Sequence, residues 1–277
     1  MTKITAAEVN KLRKQTGAGM MDCKKALVES EGDFEQAIDY LRKKGQKVAS
    51  KRADREASEG VVMAKITDDK KSGCIVAINC ETDFVAKNQD FIDFVSSVMD
   101  LALANSPKTI DELKAMKLNG ISVEDTIMDQ IGKIGEKIEL SCYEIIEAAK
   151  VFAYNHQGNK LATLLGLNKD EIENIDEIGH ELAMQVAAMA PVAVDKSDVD
   201  QNVIDKEIEI GKDLARQEGK PEDMVEKIAI GKLNKFFKEN TLLNQQFVRD
   251  TKKTIRQYLA ENDKDLTVTE FKRVMLG

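Results

Sequence analysis

The side chains best suited to act on another molecule lie in residues 80–87, Cys-Glu-Thr-Asp-Phe-Val-Ala-Lys. The apolar run at residues 75–78 predicts a buried strand before this segment. Thr82 or Asp83 can cap a following helix, in which apolar residues recur at helical spacing: Phe91, Phe94, Val95 and Val98. A strand-to-helix corner is a rigid place from which Phe84 can contact a second molecule. The alternative is that Phe84 packs in the core between the sheet and the helix.

The sequence contains no recognisable catalytic motif. Few residues could serve in histidine-based acid–base catalysis, because the only histidines are His156 and His180. No GxSxG, GxGxxG, HExxH or phosphate-binding GxxxxGK[ST] motif occurs, so direct nucleotide binding is not expected. The acidic residues also lack the spacing of a calcium-binding loop. We therefore expect a protein that is not an enzyme and that holds neither a cofactor nor a metal ion.

The formal net charge of -8 at pH 7 argues against a broad nucleic-acid interface, because the phosphates would be repelled. One local cluster of basic side chains is nevertheless present: Arg42, Lys43, Lys44, Lys47, Lys51, Arg52 and Arg55. This cluster is either a solvated helix end with a charged linker or the contact surface of a helical module that binds ribosomal RNA.

The cysteine pattern is typical of a reducing compartment. The four cysteines, Cys23, Cys74, Cys80 and Cys142, show neither a CxxC pair nor a zinc spacing. Free buried thiols suit the cytoplasm. The N-terminus lacks an apolar signal region, and no segment reaches the ~18 apolar residues of a membrane span. We therefore expect a cytoplasmic protein without a membrane partner.

The fold class predicted from the elements is α+β. Residues 1–54 are expected to form a domain of three short helices, the third ending at Gly45, followed by a charged connector over residues 46–59. Residues 55–140 form a first core subdomain, with a β-hairpin of residues 60–66 and 74–80 and a helix over about residues 87–104. A further strand-like stretch is expected between residues 131 and 146, over residues 133–143.

The strand, turn, strand, helix pattern then recurs, which predicts a second core subdomain over residues 141–246. Its strands are expected at residues 149–154 and 160–167. Two amphipathic helices within about residues 199–239 flank Gly219-Lys220-Pro221 and predict an antiparallel helical hairpin that projects from the core. Residues 247–277 are expected to form a C-terminal module with helices at 251–261 and near 269–275.

Two segments resemble the elongation factor Ts family. Thr82-Asp83-Phe84-Val85-Ala86-Lys87 is similar to the family's signature, and residues 13–27 match its N-terminal motif closely. The resemblance covers essentially the whole chain and is weaker after about Gly158. It implies an N-terminal bundle similar to ubiquitin-associated domains, two antiparallel-sheet and helix core subdomains, and a coiled-coil hairpin.

The resemblance also implies a function. Members of the family are guanine-nucleotide exchange factors that bind elongation factor Tu with GDP, displace Mg²⁺ and promote GDP release so that GTP can bind. It assigns the Mg²⁺ displacement to Thr82, Asp83, Phe84 and Val85, with Phe84 inserting into the partner.

Further partner contacts implied by the resemblance are Arg13, Met20, Met21, Ile134, Gly135 and His156. The family often has His-Gly at the last position, whereas Gln157 intervenes here. The helical hairpin is expected to touch either the partner or a second copy of the chain. In the second case, two copies of the complex would form a dimer.

Overall fold

The N-terminal part of the chain is a bundle of three helices, as predicted. The computed structural model describes residues 4–277, so the predicted start of this domain at residue 1 lies outside the described residues. Thr5 caps the first helix through a reciprocal bond pair with Glu8, and Gly17 ends it with φ 69°. The helices are α1 (Ala6–Thr16), α2 (Met20–Glu29) and α3 (Phe34–Arg52).

The third helix is longer than predicted. Gly45 does not end α3, which continues to Arg52 through part of the expected connector. The reason is tertiary, because α3 crosses a later helix, α7 (Val123–Ile134), at this point. A β-carbon built on Gly132 of α7 would lie 3.1 Å from the Cα of Gly45. The glycine at position 45 therefore serves a close helix crossing rather than a helix end.

A first antiparallel sheet follows, with strand order β1-β2-β5. Its strands are β1 (Glu59–Ile66), β2 (Ser72–Cys80) and β5 (Ile138–Glu147). Between β2 and β5 the chain forms α4 (Asp83–Ala86), α5 (Gln89–Asn105), α6 (Ile110–Ala115), the two-residue strands β3 (Lys117–Leu118) and β4 (Ile121–Ser122), and α7. The strand expected from residue 133 begins only at Ile138, because α7 continues to Ile134 and ends at Gly135, where φ is 83°.

A second antiparallel sheet has the order β10-β7-β6. Its strands are β6 (Lys150–Asn155), β7 (Leu161–Leu167) and β10 (Val268–Met275), and α8 (Ile175–Met189) covers one face. The predicted helix near residues 269–275 is wrong, since this segment is β10. Phe271 and Val274 have a spacing that suits a helix, but they pack into two different cores, as side chains on opposite faces of a strand do.

The two sheets pack face to face between two helical layers. In β1, Val61 belongs to the core shared with α5 and α7, whereas Val62 belongs to the core between the sheets. Alternation along the strand thus supplies both cores. The core between the sheets contains Val62, Ala64, Ile75, Ala77, Ile146, Val151, Ala162 and Leu164. Both faces of β2 are therefore covered, which explains its nearly continuous apolar sequence.

The predicted helical hairpin is present as α9 (Gln201–Gln217) and α10 (Glu222–Asn240). The helices approach closely, since a β-carbon on Gly211 would lie 3.0 Å from the Cα of Ala229. The chain then forms β8 (Gln246–Phe247), β9 (Asp250–Thr254) and α11 (Ile255–Asn262). The helix expected from residue 251 begins at Ile255, because Thr254 forms a capping box with Gln257.

The predicted subdomain division remains a prediction. Residue 140 falls within β5, and β5 pairs with β2 along its whole length, from Ile138 opposite Cys80 to Glu147 opposite Ser72. Among the described helices, none combines the length and the hydrophobicity needed to cross a lipid bilayer.

Candidate functional site

The candidate site is the corner between β2 and α4. Thr82 has extended backbone angles, φ -125° and ψ 151°, and its Oγ1 accepts a hydrogen bond from the Val85 N–H at 3.4 Å. Ala86 is buried and Val85 packs against the first core, so α4 is anchored on one side. Phe84 lies on the opposite side and is 84% exposed, more than any other large apolar side chain among residues 4–277. The alternative of a core role for Phe84 is therefore wrong.

A carboxylate from another segment holds the cap of this corner. Glu136 Oε1 accepts a hydrogen bond from Thr82 Oγ1 at 2.7 Å, and Glu136 Oε2 accepts one from Thr82 N–H at 3.1 Å. Thr82 thus donates twice to one carboxylate while it caps α4.

Asp83, the first residue of α4, forms an ion pair with Lys87, the residue that follows this helix. Its Oδ2 lies 2.7 Å from Nζ of Lys87, one helical turn later. This hydrogen bond lowers the pKa of Asp83, and the positive charges of Lys87 and Lys160 act in the same direction. A carboxylate that stays ionised at the start of α4 is favoured by the helix dipole.

A groove of about 280 Å³ opens beside the exposed phenylalanine. It brings the end of α7 next to the corner, so that Ile134 and Phe84 line the same depression. Gly135 follows directly, and the space where its β-carbon would lie is open. The lining residues are Phe84, Val85, Asn88, Asp90, Phe91, Gln130, Lys133 and Ile134.

The N-terminal motif lies close to this groove. Met20 and Met21 at the start of α2 are 52% and 73% exposed, and Arg13 on α1 is also exposed. The turn before them contacts α7, since a β-carbon on Gly17 would lie 3.1 Å from Cε of Lys133. Lys133 also lines the groove beside Phe84. The two sequence motifs are therefore brought to neighbouring positions.

His156 is not part of this groove. It lies exposed in the turn between β6 and β7, with its Nδ1 2.8 Å from the hydroxyl of Tyr154. Asn155 ties the turn to β1, because its side chain accepts from the Ala64 N–H at 2.7 Å and donates to the Ala64 carbonyl at 2.9 Å. His156 therefore belongs to a separate surface feature on the other sheet.

Comparison with known proteins decides the family. The family model described as Elongation factor TS matches residues 81–277. A protein named Elongation factor Ts from Christiangramia forsetii is 54% identical over 277 residues, which is 100% of both chains. A protein of the same name from Cytophaga hutchinsonii is 52% identical over 100% of this chain and of the relative. Another from Amoebophilus asiaticus is 50% identical over 99% of this chain and of the relative. This chain belongs to the elongation factor Ts family.

The family assignment covers both sequence motifs. The matched segment of the family model begins at Glu81, directly before the Thr82 cap, and the relatives align through the N-terminal bundle as well. The resemblance read from residues 13–27 and 82–87 is thereby confirmed. The family is one of translation elongation factors.

Sequence reasoning missed the residues that brace the corner of this family member. The sequence patterns assign no role to either Glu136 or Glu81, although Glu81 lies within residues 80–87. Their partners lie 54 and 56 residues away in the chain, Thr82 for Glu136 and Lys137 for Glu81. Only the pairing of β2 with β5 brings these segments together.

The basic cluster on α3 is partly neutralised by carboxylates. Arg42 Nε lies 3.7 Å from Asp129, Lys44 pairs with Asp22, and Arg52 Nη1 lies 2.7 Å from Glu81. Because three of these seven cations are engaged within the protein, no specific observation favours the RNA-binding alternative.

A metal-ligand cluster or a reactive thiol would be a further chemical site among the described residues. Residues 4–277 include no group of three or more His, Cys, Asp or Glu side chains arranged to hold a metal ion. Burial raises the pKa of the Cys74 and Cys80 thiols to about 12. These thiols are therefore protonated and unreactive at neutral pH.

Proposed function

We propose that this protein is a guanine-nucleotide exchange factor for elongation factor Tu. It binds the GDP-bound partner, displaces Mg²⁺ from the partner's nucleotide site and promotes GDP release so that GTP can bind. The observation that carries this proposal is the exposure of Phe84, whose side chain is 84% accessible on a braced helical corner. An apolar ring held in water at a rigid position is suited to insertion into a second protein.

The magnitudes define what the ring can contribute. A nucleotide bound with nanomolar affinity is held by about 12 kcal/mol. Burying one Phe side chain contributes only about 1.5–3 kcal/mol. The ring therefore does not expel the nucleotide alone. The wider interface must favour the open form of the partner, and Phe84 directs part of that binding energy toward the metal site.

The wider interface is proposed to include the neighbouring features. Met20 and Met21 offer exposed, adaptable side chains shortly after the turn that contacts Lys133, and Arg13 offers a charge. Ile134 lines the groove itself, and Gly135 follows it directly at the end of α7. His156, on its separate turn, is proposed to contact a different domain of the partner.

The exchange requires no covalent chemistry by this chain. By linkage, the exchange protein lowers the partner's affinity for nucleotide, and nucleotide lowers the partner's affinity for the exchange protein by the same ratio. GTP binding to the partner then displaces the exchange factor. We accordingly propose that this chain is not an enzyme, that it contacts the partner rather than the nucleotide, and that it acts in the cytoplasm.

The test is the release of fluorescent GDP from elongation factor Tu in the presence of excess unlabelled nucleotide. Wild-type protein is expected to accelerate release strongly, and Phe84→Ala is expected to lose part of that acceleration while still binding. Val192→Ala is the matched control, since Val192 is another exposed apolar side chain, at 55% accessibility, outside the corner and groove. No acceleration by the wild type would rule out the proposed function.

A further inference from the structure

Two glutamates exchange hydrogen bonds between two chain segments at the base of the candidate site. Glu136, just after α7, accepts from the backbone and the hydroxyl of Thr82. In return, Glu81, just before Thr82, accepts from the Lys137 N–H at 2.6 Å. Each carboxylate thus reaches the backbone amide next to the other carboxylate. We name these four residues, Glu81, Thr82, Glu136 and Lys137, the carboxylate brace.

The carboxylate brace also holds the end of α3. Arg52, the last residue of α3, places Nη1 2.8 and 2.7 Å from the two carboxylate oxygens of Glu81. The ammonium group of Lys137 donates to the carbonyl of Ala53 at 3.1 Å and to that of Arg55 at 3.2 Å. Three chain segments, namely the end of α3, the β2–α4 corner and the α7–β5 corner, therefore meet at one set of charge-assisted bonds.

The brace matters because α4 cannot hold its own shape. It has only four residues, far fewer than the ~12–15 that an isolated helix needs in water. Two of them, Val85 and Ala86, are anchored in the core. The ring of Phe84 is held by nothing on its exposed side, so its direction depends on the backbone of α4 and on the cap at Thr82.

We infer that Glu136 and Glu81 are positioning residues for nucleotide exchange, which fix the direction of Phe84 before the partner docks. This inference rests on the proposed function. A ring that is already fixed in direction contacts the partner's metal site without a further loss of conformational entropy. The brace should therefore raise the rate of GDP release at a saturating concentration of this protein. Affinity depends on the wider surface and does not require the brace.

The test uses Glu136→Gln in the full-length protein. The amide keeps the size of the side chain, but its nitrogen cannot accept the bond that one carboxylate oxygen accepts from Thr82. The maximal rate of GDP release from elongation factor Tu is expected to fall about tenfold, while the half-saturating concentration is unchanged. Glu144→Gln on β5 is the matched control, because it also replaces a carboxylate by an amide. It removes one ion pair, in which Glu144 Oε2 lies 3.0 Å from Lys272 Nζ, and it should keep the wild-type rate.

A double-mutant cycle separates positioning from general destabilisation. In a Phe84→Ala background, Glu136→Gln is expected to cause no further loss, because the ring that the brace directs is gone. Additive losses, or a change confined to the half-saturating concentration, would overturn the inference. Glu81→Gln provides a second variant, and circular dichroism checks that each variant is folded.

The outcomes for the inference and for the proposed function differ. If wild-type protein accelerates release and Phe84→Ala impairs it, but Glu136→Gln and Glu81→Gln both behave as wild type, only the positioning role fails. If wild-type protein does not accelerate release at all, the proposed function fails and takes the positioning role with it.

Discussion

The crossing of α3 and α7 gives a sharp test of how the N-terminal bundle is attached. A β-carbon on Gly45 would lie 2.8 Å from the carbonyl oxygen of Met128 and 3.5 Å from the Cα of Gly132. Both neighbours belong to the backbone of α7, so neither can rotate out of the way. We expect Gly45→Ala to push the two helices apart.

The size of the effect follows from two opposing contributions. Overpacking of a tight contact costs about 1–3 kcal/mol, while replacing glycine by alanine within a helix contributes up to about 1 kcal/mol of stability. Gly231→Ala on α10 is the matched control, because nothing lies within 4 Å of its β-carbon position. Since both variants gain the same helix contribution, Gly45→Ala should be less stable than Gly231→Ala by about 1–3 kcal/mol.

The assay is urea unfolding followed by the helical circular-dichroism signal, since the chain contains no Trp for fluorescence. The control variant should unfold at a higher urea concentration than wild type, and Gly45→Ala at a lower one than the control. If Gly45→Ala proves as stable as Gly231→Ala, the glycine contact between α3 and α7 does not carry the attachment of the bundle.

Two further predictions concern Gly179 on α8 and Glu81 directly after β2. Gly179→Ala should destabilise the protein by about 1–3 kcal/mol or more in the same assay, because the new carbon would overlap the buried ring of Phe152. Phe152→Leu should restore part of the loss, and a neutral Gly179→Ala would contradict this packing. Burial alone would raise the pKa of Glu81, but the bonds from the Lys137 N–H and Arg52 outweigh it and hold the pKa below its ordinary 4.5. The unfolded state therefore binds this proton more readily, and the stabilisation by Glu81 is present above pH 4.5 and lost as the pH falls through the lower folded value. The urea midpoint of wild type should thus fall more steeply than that of Glu81→Gln below that pH; parallel curves would show that the carboxylate is not stabilised by folding.

The sequence was informative wherever the signal is local. The end of α1 at Gly17, the hairpin of β1 and β2, and the linked helices α9 and α10 follow from turn residues and periodicity within a few positions. The sequence also predicts an exposed Phe84 as one of two alternatives, because Thr82 indicates where the helix begins.

The misses share a long-range cause. In the sequence, Gly45 indicates a helix end. Only the folded structure shows that it lies against Gly132 of α7 at a helix crossing. The segment of β10 has no strand partner nearby in the chain; its partner β7 lies about a hundred residues earlier, with Met275 opposite Leu161. The carboxylate brace is hidden in the same way, since its two halves meet only when β5 joins the first sheet.

Phe84 is proposed to act on the partner after docking. The direct measurement is the maximal rate of GDP release from elongation factor Tu at saturating wild type, Phe84→Leu and Phe84→Ala. Because burial of the ring is worth about 1.5–3 kcal/mol, Phe84→Ala should lower this maximal rate by about 10- to 160-fold, with Phe84→Leu intermediate. Equal maximal rates for the three proteins, with any difference confined to the half-saturating concentration, would contradict the claim.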